Sequence, residues 1–475
     1  MLNNDLAQQI KRFFSLKATV EQEKVLKIFS EYLFSPQKGG VLVLQGYAGT
    51  GKTSLVSAFV RALDSLGMKC VLLGPTGRSA KVFSRYASHT ALTIHKKIYR
   101  QRAFTGETGG FTLADNLHRD TLFIVDEASM IPAGGLSGGA FGTGRLLEDL
   151  VSYIFSGKGC RLMLIGDTAQ LPPVGEEESP ALSADVLACY GLEVTECSLT
   201  QVVRQGRESG ILFNATRIRQ MIADERFGAF PVLRVTGFPD VQVVMGGELI
   251  ETIGECYDKA GMDDTIVVCR SNKRAYIYNK GIRNMILYRE EELSSGDVLM
   301  VAKNNYWWSR DCKEMDFIAN GDTAVVRRVR HVRELYGFRF ADVLLRFPDY
   351  DDLELEVKLL LDTLHSESAS LTREESERLL RNVEEDYADV TVKRERMKKI
   401  KEDEFFNALQ VKYAYAVTCH KAQGGQWSRV FIDQGYVTGE MLTPDYFRWL
   451  YTAITRATEK VYLVNWPAGQ TEEAV

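Results

Sequence analysis

The 475-residue sequence has no long apolar run. A membrane helix needs roughly 18 or more consecutive apolar residues, and no stretch approaches that length. The first residues, MLNNDLAQQIKRFF, also lack the apolar segment of a signal peptide. We therefore expect a soluble, intracellular protein that is cytoplasmic or nucleoid-associated and has no membrane partner.

Paired cysteines are lacking as well. Eight cysteines are scattered along the chain, without a CxxC pair or a cysteine–histidine cluster at zinc-ligand spacing. We expect them to be reduced thiols.

An excess of positive charge is also missing, since the formal net charge is −5 and the pI is about 5.9. A nucleic-acid partner would therefore have to be bound in a local groove.

Short apolar segments separated by helix-length stretches are what the sequence does contain. One set comprises VLVLQG, CVLLGPT, TLFIVDEAS and CRLMLIGDT, and a later set comprises TIVVCRS, YAYAVTCHKAQG, RVFID and KVYLVNW. Such continuously apolar strands are typical of parallel sheets that are covered on both faces. The pattern predicts an α/β fold with two domains.

Three further segments follow different patterns. Residues 100–113 have a glycine-rich centre between possible short strands, which predicts a β-hairpin. Residues 310–347 show short alternating strands with turn glycines, which is typical of a small antiparallel barrel. The charged segment 351–407 is acidic first and basic later, with apolar residues at helical spacing, and indicates a solvated helical pair.

The stretch GYAGTGKT carries the most specific chemical signal. Gly46, Gly51, Lys52 and Thr53 match G-x-x-x-x-G-K-[ST] between a strand and a helix. Backbone amides of such a loop surround a β-phosphate, the lysine reaches the β and γ oxygens, and the threonine ligates magnesium. The sequence therefore predicts a nucleoside triphosphate site with Mg²⁺.

Hydrolysis requires further groups at the same sheet edge. Asp126 and Glu127 follow an apolar strand, where the first can hold magnesium and the second can polarise the attacking water. Gln170, near Asp167, follows another strand and is either a γ-phosphate sensor or an ordinary polar loop residue. Arg204 and Arg456 are candidates for stabilising transition-state charge, although an isolated arginine is usually a surface ion-pair partner.

Eight segments in this order resemble the superfamily 1B helicases, in the group of RecD-like, Dda-like and Pif-type DNA helicases. They are GYAGTGKT, GPTGRSAKVF, TIH, VDEASM, GDTAQLPPV, VVRQ, TCHKAQG and YTAITRA. The resemblance implies two RecA-like domains with ATP and Mg²⁺ between them. It also implies 5′ to 3′ movement on single-stranded DNA and strand separation at duplex junctions, in DNA replication, repair or recombination. We expect a monomer.

The resemblance also implies residue roles. Gln22 would read adenine, Gly46, Gly49, Thr50, Gly51, Lys52 and Thr53 would hold the phosphates, and Asp126 would join Thr53 on magnesium. Lys52, Glu127, Gln170, Arg204 and Arg456 would form the catalytic set. Pro75, Thr76, Thr93, His95, Thr418, His420 and Lys421 would line the DNA track; without the resemblance, a lone histidine is more often simply buried and hydrogen-bonded.

The insertions fit the same family. The resemblance implies a duplex-splitting pin at the hairpin, with Phe104 or Phe111 stacking on the last base pair, and an SH3-like barrel behind it. The predicted domains are residues 1–230 with the hairpin at about 98–118, residues 231–308 with 411–475, and an inserted barrel and charged helical segment at 309–410. Tyr306, Trp307 and Trp308 either stack on bases or pack between domains.

Some features leave alternatives open. Ala422 stands where the family often has serine, so one phosphate contact is in doubt. The charged segment either braces the barrel or closes over DNA through KRERMKKIK. The same motifs suit an RNA-tracking helicase or a translocase that does not unwind, since phosphate contacts do not identify the sugar. A non-motor ATP-binding scaffold is the remaining alternative, and the complete hydrolytic set argues against it.

Overall fold

The chain is described from a computed structural model. The described residues are 2–14, 17–35, 39–101, 111–135, 142–202, 209–312, 314–315 and 317–472. None of the helices in these ranges combines the length and the apolar character that crossing a bilayer demands.

A six-stranded parallel sheet organises the first half of the chain. Its six strands are β1 (Gly40–Gly46), β2 (Lys69–Gly74), β3 (Ala91–Thr93), β6 (Thr121–Val125), β7 (Arg161–Gly166) and β8 (Glu193–Leu199). Two further strands, β4 (Tyr99–Gln101) and β5 (Phe111–Leu113), form a separate pair. The helices are α1 (Leu2–Phe13), α2 (Val20–Phe34), α3 (Lys52–Ser65), α4 (Gly77–Ala87), α5 (Ile94–Ile98), α6 (Leu146–Ser156), α7 (Ala184–Cys189) and α8 (Gly210–Ala223). The sheet order is β3-β2-β6-β7-β1-β8.

Both faces of this sheet are covered. Leu42 and Leu44 of β1 point into one apolar cluster with α2 and α3, and Val41 and Val43 point into another with α6. This alternation explains why β1 reads as a continuous apolar run, because neither face meets water.

Strands β4 and β5 form the base of the predicted hairpin. They pair antiparallel from Tyr99 opposite Leu113 to Gln101 opposite Phe111. The hairpin prediction is confirmed for this base. Its tip, residues 102–110 with Phe104, lies outside the described residues.

A second parallel sheet lies in the other half, and β10 (Val241–Val244) and β11 (Thr265–Cys269) are its strands before the barrel. The short β9 (Leu233–Arg234) pairs separately with Thr471–Glu472. The helices before the barrel in this half are α9 (Leu249–Ala260) and α10 (Asn272–Met285). The barrel strands are β12 (Val298–Val301), β13 (Thr323–Leu335), β14 (Phe338–Phe347), β15 (Leu353–Leu360) and β16 (Leu409–Tyr413). Between β15 and β16 lie α11 (Asp362–His365), α12 (Arg373–Glu385) and α13 (Lys393–Lys401).

The chain then returns to the second sheet. Its last elements are β17 (Ala416–Thr418), α14 (Cys419–Ala422), β18 (Trp427–Asp433), α15 (Pro444–Ile454), β19 (Ala457–Val464) and β20 (Thr471–Glu472). The sheet order is β10-β19-β18-β11-β17, with every pair parallel. The predicted α/β architecture with two parallel sheets is confirmed. Helix α8 packs with this second half, since Ile211, Ala215 and Ile218 lie in its core.

The barrel is closed by five strands in the order β12-β13-β14-β15-β16. It uses more of the chain than the pattern at 310–347 indicated, because the first and last strands pair with each other from Leu299 opposite Tyr413. It is also not purely antiparallel, since β15 and β16 run parallel where Leu359 lies opposite Leu409. Its interior is continuous with the second sheet, as Val326 and Leu345 share a cluster with Val267 and Phe431.

The charged segment folds into the predicted helical pair. Leu379 and Val383 of α12 and Ile400 of α13 are buried against Phe338 and Phe340 of the barrel. These apolar contacts support the alternative in which the segment braces the barrel.

Candidate functional site

The phosphate loop lies where β1 ends and α3 begins. Gly49 and Gly51 have φ values of 77° and 83°, a region that favours glycine. A Cβ atom on Gly46 would lie 2.8 Å from the side chain of Lys52. The ammonium of Lys52 donates to the carbonyls of Gly46 and, at 2.9 Å, of Tyr47. The glycines therefore permit a tight loop against which the lysine is held.

Gln22 and Thr53 flank this loop. Gln22 is buried in the first turn of α2, where its side chain and that of Thr19 form a reciprocal capping box. The amide nitrogen of Gln22 also donates to the carbonyl of Thr50 at 3.1 Å. Thr53 is exposed on the first turn of α3. The predicted adenine-reading residue is thus hydrogen-bonded to the phosphate loop, and the predicted magnesium-binding residue follows that loop directly at the start of α3.

The acidic pair lies at the end of β6. Asp126 accepts hydrogen bonds from the hydroxyl of Tyr86 and, at 2.9 Å, from the amide of Glu127. Glu127 has a left-handed backbone with φ of 53°. Burial raises the pKa of both carboxyl groups, and the charge of Lys52 opposes this rise. A carboxylate of raised pKa is a stronger base, which suits a residue that must polarise water.

Asp167 and Gln170 lie at the end of the neighbouring strand β7. Asp167 is 1% exposed, and its carboxylate accepts from the amide of Ala169 at 3.0 Å and from the hydroxyl of Tyr451 at 2.7 Å. Gln170 is also buried, and its side-chain oxygen has no hydrogen-bond partner among the described residues. A buried amide with a spare polar atom suits a ligand-sensing role better than that of an ordinary polar loop residue.

Arg456 reaches this edge from the second half of the molecule. It is 3% exposed and donates to the carbonyls of Thr452 at 3.1 Å and Gly425 at 3.2 Å. Its guanidinium lies 4.0 Å from the carboxylate of Glu127, and this positive charge lowers the pKa of Glu127 against the effect of burial. Arg456 is therefore not an isolated surface ion-pair partner. The other arginine candidate, Arg204, lies outside the described residues.

Several direct contacts join the two halves beside the phosphate loop, and sequence reasoning did not find them. The hydroxyl of Tyr451 accepts from the amide of Ala48 at 2.9 Å while it donates to Asp167. The amide of Leu171 donates to the hydroxyl of Thr452 at 2.9 Å, and Gln423 donates to the carbonyl of Leu171 at 2.7 Å. The motif YTAITRA contains Tyr451 and Thr452, but their partners are far away in sequence.

The three threonines of the predicted DNA track share one local structure. Thr76, Thr93 and Thr418 are the N-cap residues of α4, α5 and α14. Thr93 and Thr418 are the last residues of β3 and β17, and Thr76 lies two residues after the end of β2. Thr76, next to half-buried Pro75, accepts from the amide of Ser79 at 3.1 Å, and Thr93 accepts from that of Lys96 at 3.1 Å. Helix N-termini present amide groups that favour phosphate.

The remaining track residues differ in exposure. His95 is partly buried, with its ring centre 5.8 Å from that of Phe317, and burial lowers its pKa to about 4. His420 is exposed. Lys421 is partly buried against Asn320, and burial lowers its pKa to about 8. His95 is therefore partly enclosed, while His420 is exposed, and the role of both on the DNA track stays a prediction.

The aromatic residues near the hairpin do not all behave as predicted. Phe111 is only 7% exposed and packs on Tyr306, with ring centres 5.1 Å apart. The hypothesis that Phe111 stacks on a base pair is therefore wrong, because its ring is already enclosed. Tyr306 also packs inside the protein, with its ring centre 5.4 Å from that of Phe317. Trp307 lines a cleft of about 1040 Å³ beside α12.

Two different family models match parts of the two halves of the chain. A family model described as an AAA domain matches residues 30–229, and one described as a UvrD-like helicase C-terminal domain matches residues 413–464. Together they include the phosphate loop, the acidic pair and Arg456.

Among curated proteins, the ATP-dependent RecD2 DNA helicase of Deinococcus radiodurans is 31% identical over 173 residues, which is 36% of this chain and 21% of the relative. The ATP-dependent DNA helicase Dda of phage T4 is 24% identical over 267 residues, 55% of this chain and 56% of the relative. The chain thus spans less than two thirds of either. A Bacteroides Pif1 helicase structure with ADP-AlF3 and ssDNA is 14% identical, covering 96% of this chain and 94% of that one, with a TM-score of 0.47.

Proposed function

We propose that this chain, which is similar over part of its length to the RecD2 and Dda helicases, is an ATP-dependent DNA helicase of superfamily 1B that moves 5′ to 3′ on single-stranded DNA. The observation that carries this proposal is the approach of Arg456 to Glu127 at 4.0 Å. It brings a cation from one half of the molecule to the candidate general base of the other.

The nucleotide would occupy the edge where β1, β6 and β7 end. Lys52 would hold the β and γ phosphates, Glu127 would take a proton from the attacking water, and Gln170 would sense the γ-phosphate. The hydroxyl of Thr53 and the carboxylate of Asp126 are the hard oxygen ligands that Mg²⁺ prefers. Bound magnesium would neutralise charge on the phosphates.

Movement would follow from the contacts between the halves. Gly425 and Thr452 fix the guanidinium of Arg456, so a shift of the second half displaces this cation from Glu127. We propose that ATP binding and release alternately draw the two RecA-like halves together and apart. Thr76 and Thr93 in one half and Thr418 in the other would exchange phosphate contacts as the distance between them changes.

The proposed division of the chain follows residues 1–230, residues 231–308 with 411–475, and an SH3-like barrel with the helical segment at 309–410, with two adjustments. Helix α8 belongs with the second half, and the barrel also includes β12 and β16. The hairpin would be the wedge at the duplex junction. We propose a monomer, cytoplasmic or nucleoid-associated. Arg204 would be a second arginine on the transition state, and Phe104 at the hairpin tip would contact DNA.

Strand separation on tailed duplexes tests the proposal. The duplexes carry a 5′ or a 3′ single-stranded tail of DNA or RNA, and ATP and Mg²⁺ are present. Only the 5′-tailed DNA should open. Lys52→Ala should abolish hydrolysis and unwinding, whereas Lys27→Ala, at an exposed lysine of α2, should change neither.

Other outcomes distinguish the alternatives. DNA-stimulated hydrolysis without unwinding would indicate a translocase, and opening of RNA-tailed duplexes alone would indicate an RNA track. The helicase proposal would be overturned if single-stranded nucleic acid did not stimulate hydrolysis at all, or if Lys52→Ala hydrolysed ATP as fast as the unchanged chain.

A further inference from the structure

Three possible metal ligands meet at the end of the first sheet opposite to the phosphate loop. Asp64 lies near the end of α3, Cys70 near the start of β2, and His89 between α4 and β3. Nε2 of His89 lies 4.0 Å from Sγ of Cys70 and 3.8 Å from Oδ1 of Asp64. All three ligand atoms lie within 4.8 Å of one another.

These separations fit a shared ion better than direct bonding. A hydrogen bond between nitrogen and oxygen normally spans about 2.7–3.2 Å, so the contact of His89 with Asp64 is too long for one, and the contact with Cys70 lies at the upper limit for a hydrogen bond to sulfur. In a tetrahedral zinc site with bonds of about 2.0–2.3 Å, two ligand atoms lie roughly 3.3–3.7 Å apart. Small side-chain rotations would bring the three atoms to that spacing.

The other ring nitrogen of His89 supports the same arrangement. Nδ1 lies 3.2 Å from the carbonyl oxygen of Thr90. A carbonyl only accepts, so Nδ1 carries a proton, and in the neutral ring Nε2 is the nitrogen that can bind a metal ion. Histidine ligands of metal ions are commonly oriented by such a hydrogen bond from the second nitrogen.

We propose that Asp64, Cys70 and His89 form a zinc-binding site. A thiolate and an imidazole favour zinc over magnesium or calcium, which prefer oxygen ligands alone. The thiolate and the carboxylate balance the two positive charges of the ion. The side chain of Asp64 is 48% exposed, so water has access to the fourth position.

Binding requires a proton to leave. When zinc binds, the Zn–S bond forms, the S–H bond breaks, and the proton passes to solvent. No electron transfer is involved.

The site would join three segments around α4. This helix begins at the cap Thr76 and carries Tyr86, whose hydroxyl donates to Asp126 and whose carbonyl accepts from Ser57 of α3. Zinc would therefore steady the helix that supports both the acidic pair and one end of the predicted DNA track. This consequence rests on the proposed function, whereas metal binding does not.

Cobalt titration of the metal-free 475-residue chain tests the site. Co²⁺ should produce thiolate-to-metal charge-transfer absorption at one equivalent, and Zn²⁺ should remove it by competition. Cys70→Ser should abolish this absorption, and His89→Gln should weaken Co²⁺ binding at least about tenfold. Cys189→Ser, at an exposed cysteine, is the matched control and should bind like the unchanged chain.

Thermal unfolding gives a second measurement that does not depend on ATP hydrolysis. Zn²⁺ should raise the Tm of the unchanged chain and of Cys189→Ser but not of Cys70→Ser. Circular dichroism of the metal-free variants checks that each is folded. Absence of the absorption in the unchanged chain, or its persistence in folded Cys70→Ser, would overturn the proposal.

Discussion

Tyr451 donates its hydroxyl to the buried carboxylate of Asp167 at 2.7 Å and thereby joins α15 to the end of β7. The same oxygen accepts from the amide of Ala48 in the phosphate loop at 2.9 Å. One side chain of the second half thus satisfies a polar group on each of two nucleotide-site segments. Burial and the adjacent carboxylate raise the pKa of Tyr451, so its hydroxyl stays protonated and can donate.

Tyr451→Phe should weaken this connection. The amide of Ala48 and one oxygen of Asp167 lose a partner, and the expected loss in free energy of unfolding is about 1–3 kcal/mol. Stimulation of ATP hydrolysis by single-stranded DNA should also fall, because the contact spans the two halves. Chemical denaturation and ATPase assays with and without DNA measure both effects.

The matched control for this prediction is Tyr446→Phe. Tyr446 lies on the same helix and is similarly buried, but its hydroxyl donates at 2.8 Å to Gln434 within the second half. The Tyr446→Phe variant should have a lower free energy of unfolding, but single-stranded DNA should still stimulate its ATP hydrolysis. Equal loss of stimulation in the two variants would contradict a specific role for the Tyr451 contact.

Lys421→Arg should change the pH dependence of DNA binding. Burial lowers the pKa of Lys421 to about 8, so its positive charge is present at pH 7 and is lost as the pH rises towards 9. Affinity for single-stranded DNA should therefore fall by roughly threefold to tenfold over this range. An arginine stays charged and should remove most of this fall.

Fluorescence anisotropy of labelled DNA at fixed salt measures this effect. Lys412→Arg is the control, because burial also lowers the pKa of Lys412 to about 8 while its ammonium donates to the carbonyl of Ser366. The affinity of Lys412→Arg for single-stranded DNA should still fall as the pH rises. If the affinity of Lys421→Arg falls equally, Lys421 does not contact phosphate.

Two phenylalanines of the hairpin should give different results. Phe111→Ala empties a packed site beside Tyr306 and should lower the free energy of unfolding by about 3–5 kcal/mol. Phe104→Ala should slow unwinding more than DNA-stimulated hydrolysis, if the hairpin tip acts as a wedge. Denaturation and paired unwinding and ATPase assays separate the two. Equal losses of unwinding and hydrolysis in Phe104→Ala would argue against the wedge.

His95 should make stability depend on pH. Burial lowers its pKa to about 4, whereas an unfolded histidine titrates near 6.5. Between these values the unfolded chain binds more protons, so the free energy of unfolding falls as the pH drops from 6.5 to 4. His95→Gln should flatten this slope. His331→Gln, at a side chain that is 72% exposed, should not.

Local patterns explain what the sequence could predict. The phosphate loop from Gly46 to Thr53 is a contiguous motif between two regular elements, so its spacing is visible without tertiary information. The parallel strands were predictable because burial on both faces leaves continuous apolar runs such as Val41 to Leu44.

Long-range pairing explains what could not be predicted. The barrel closes through Leu299 and Tyr413, and no local pattern indicates that these residues are opposite each other. The contact of Tyr451 with Asp167 likewise depends on how the two halves pack. Phe111 has the sequence context of an exposed hairpin residue, and only tertiary structure shows Tyr306 covering it.

The parallel pairing of β15 with β16 has a consequence for how this protein can vary. Two parallel neighbours cannot be joined by a tight turn, since the chain must return to the end at which the first strand began. The helical segment between them supplies that return path. A deletion that replaced it with a short turn would reverse β16 and lose its pairing with β12. The segment can therefore change in length and charge among relatives, but a connection of some kind must remain for the barrel to close.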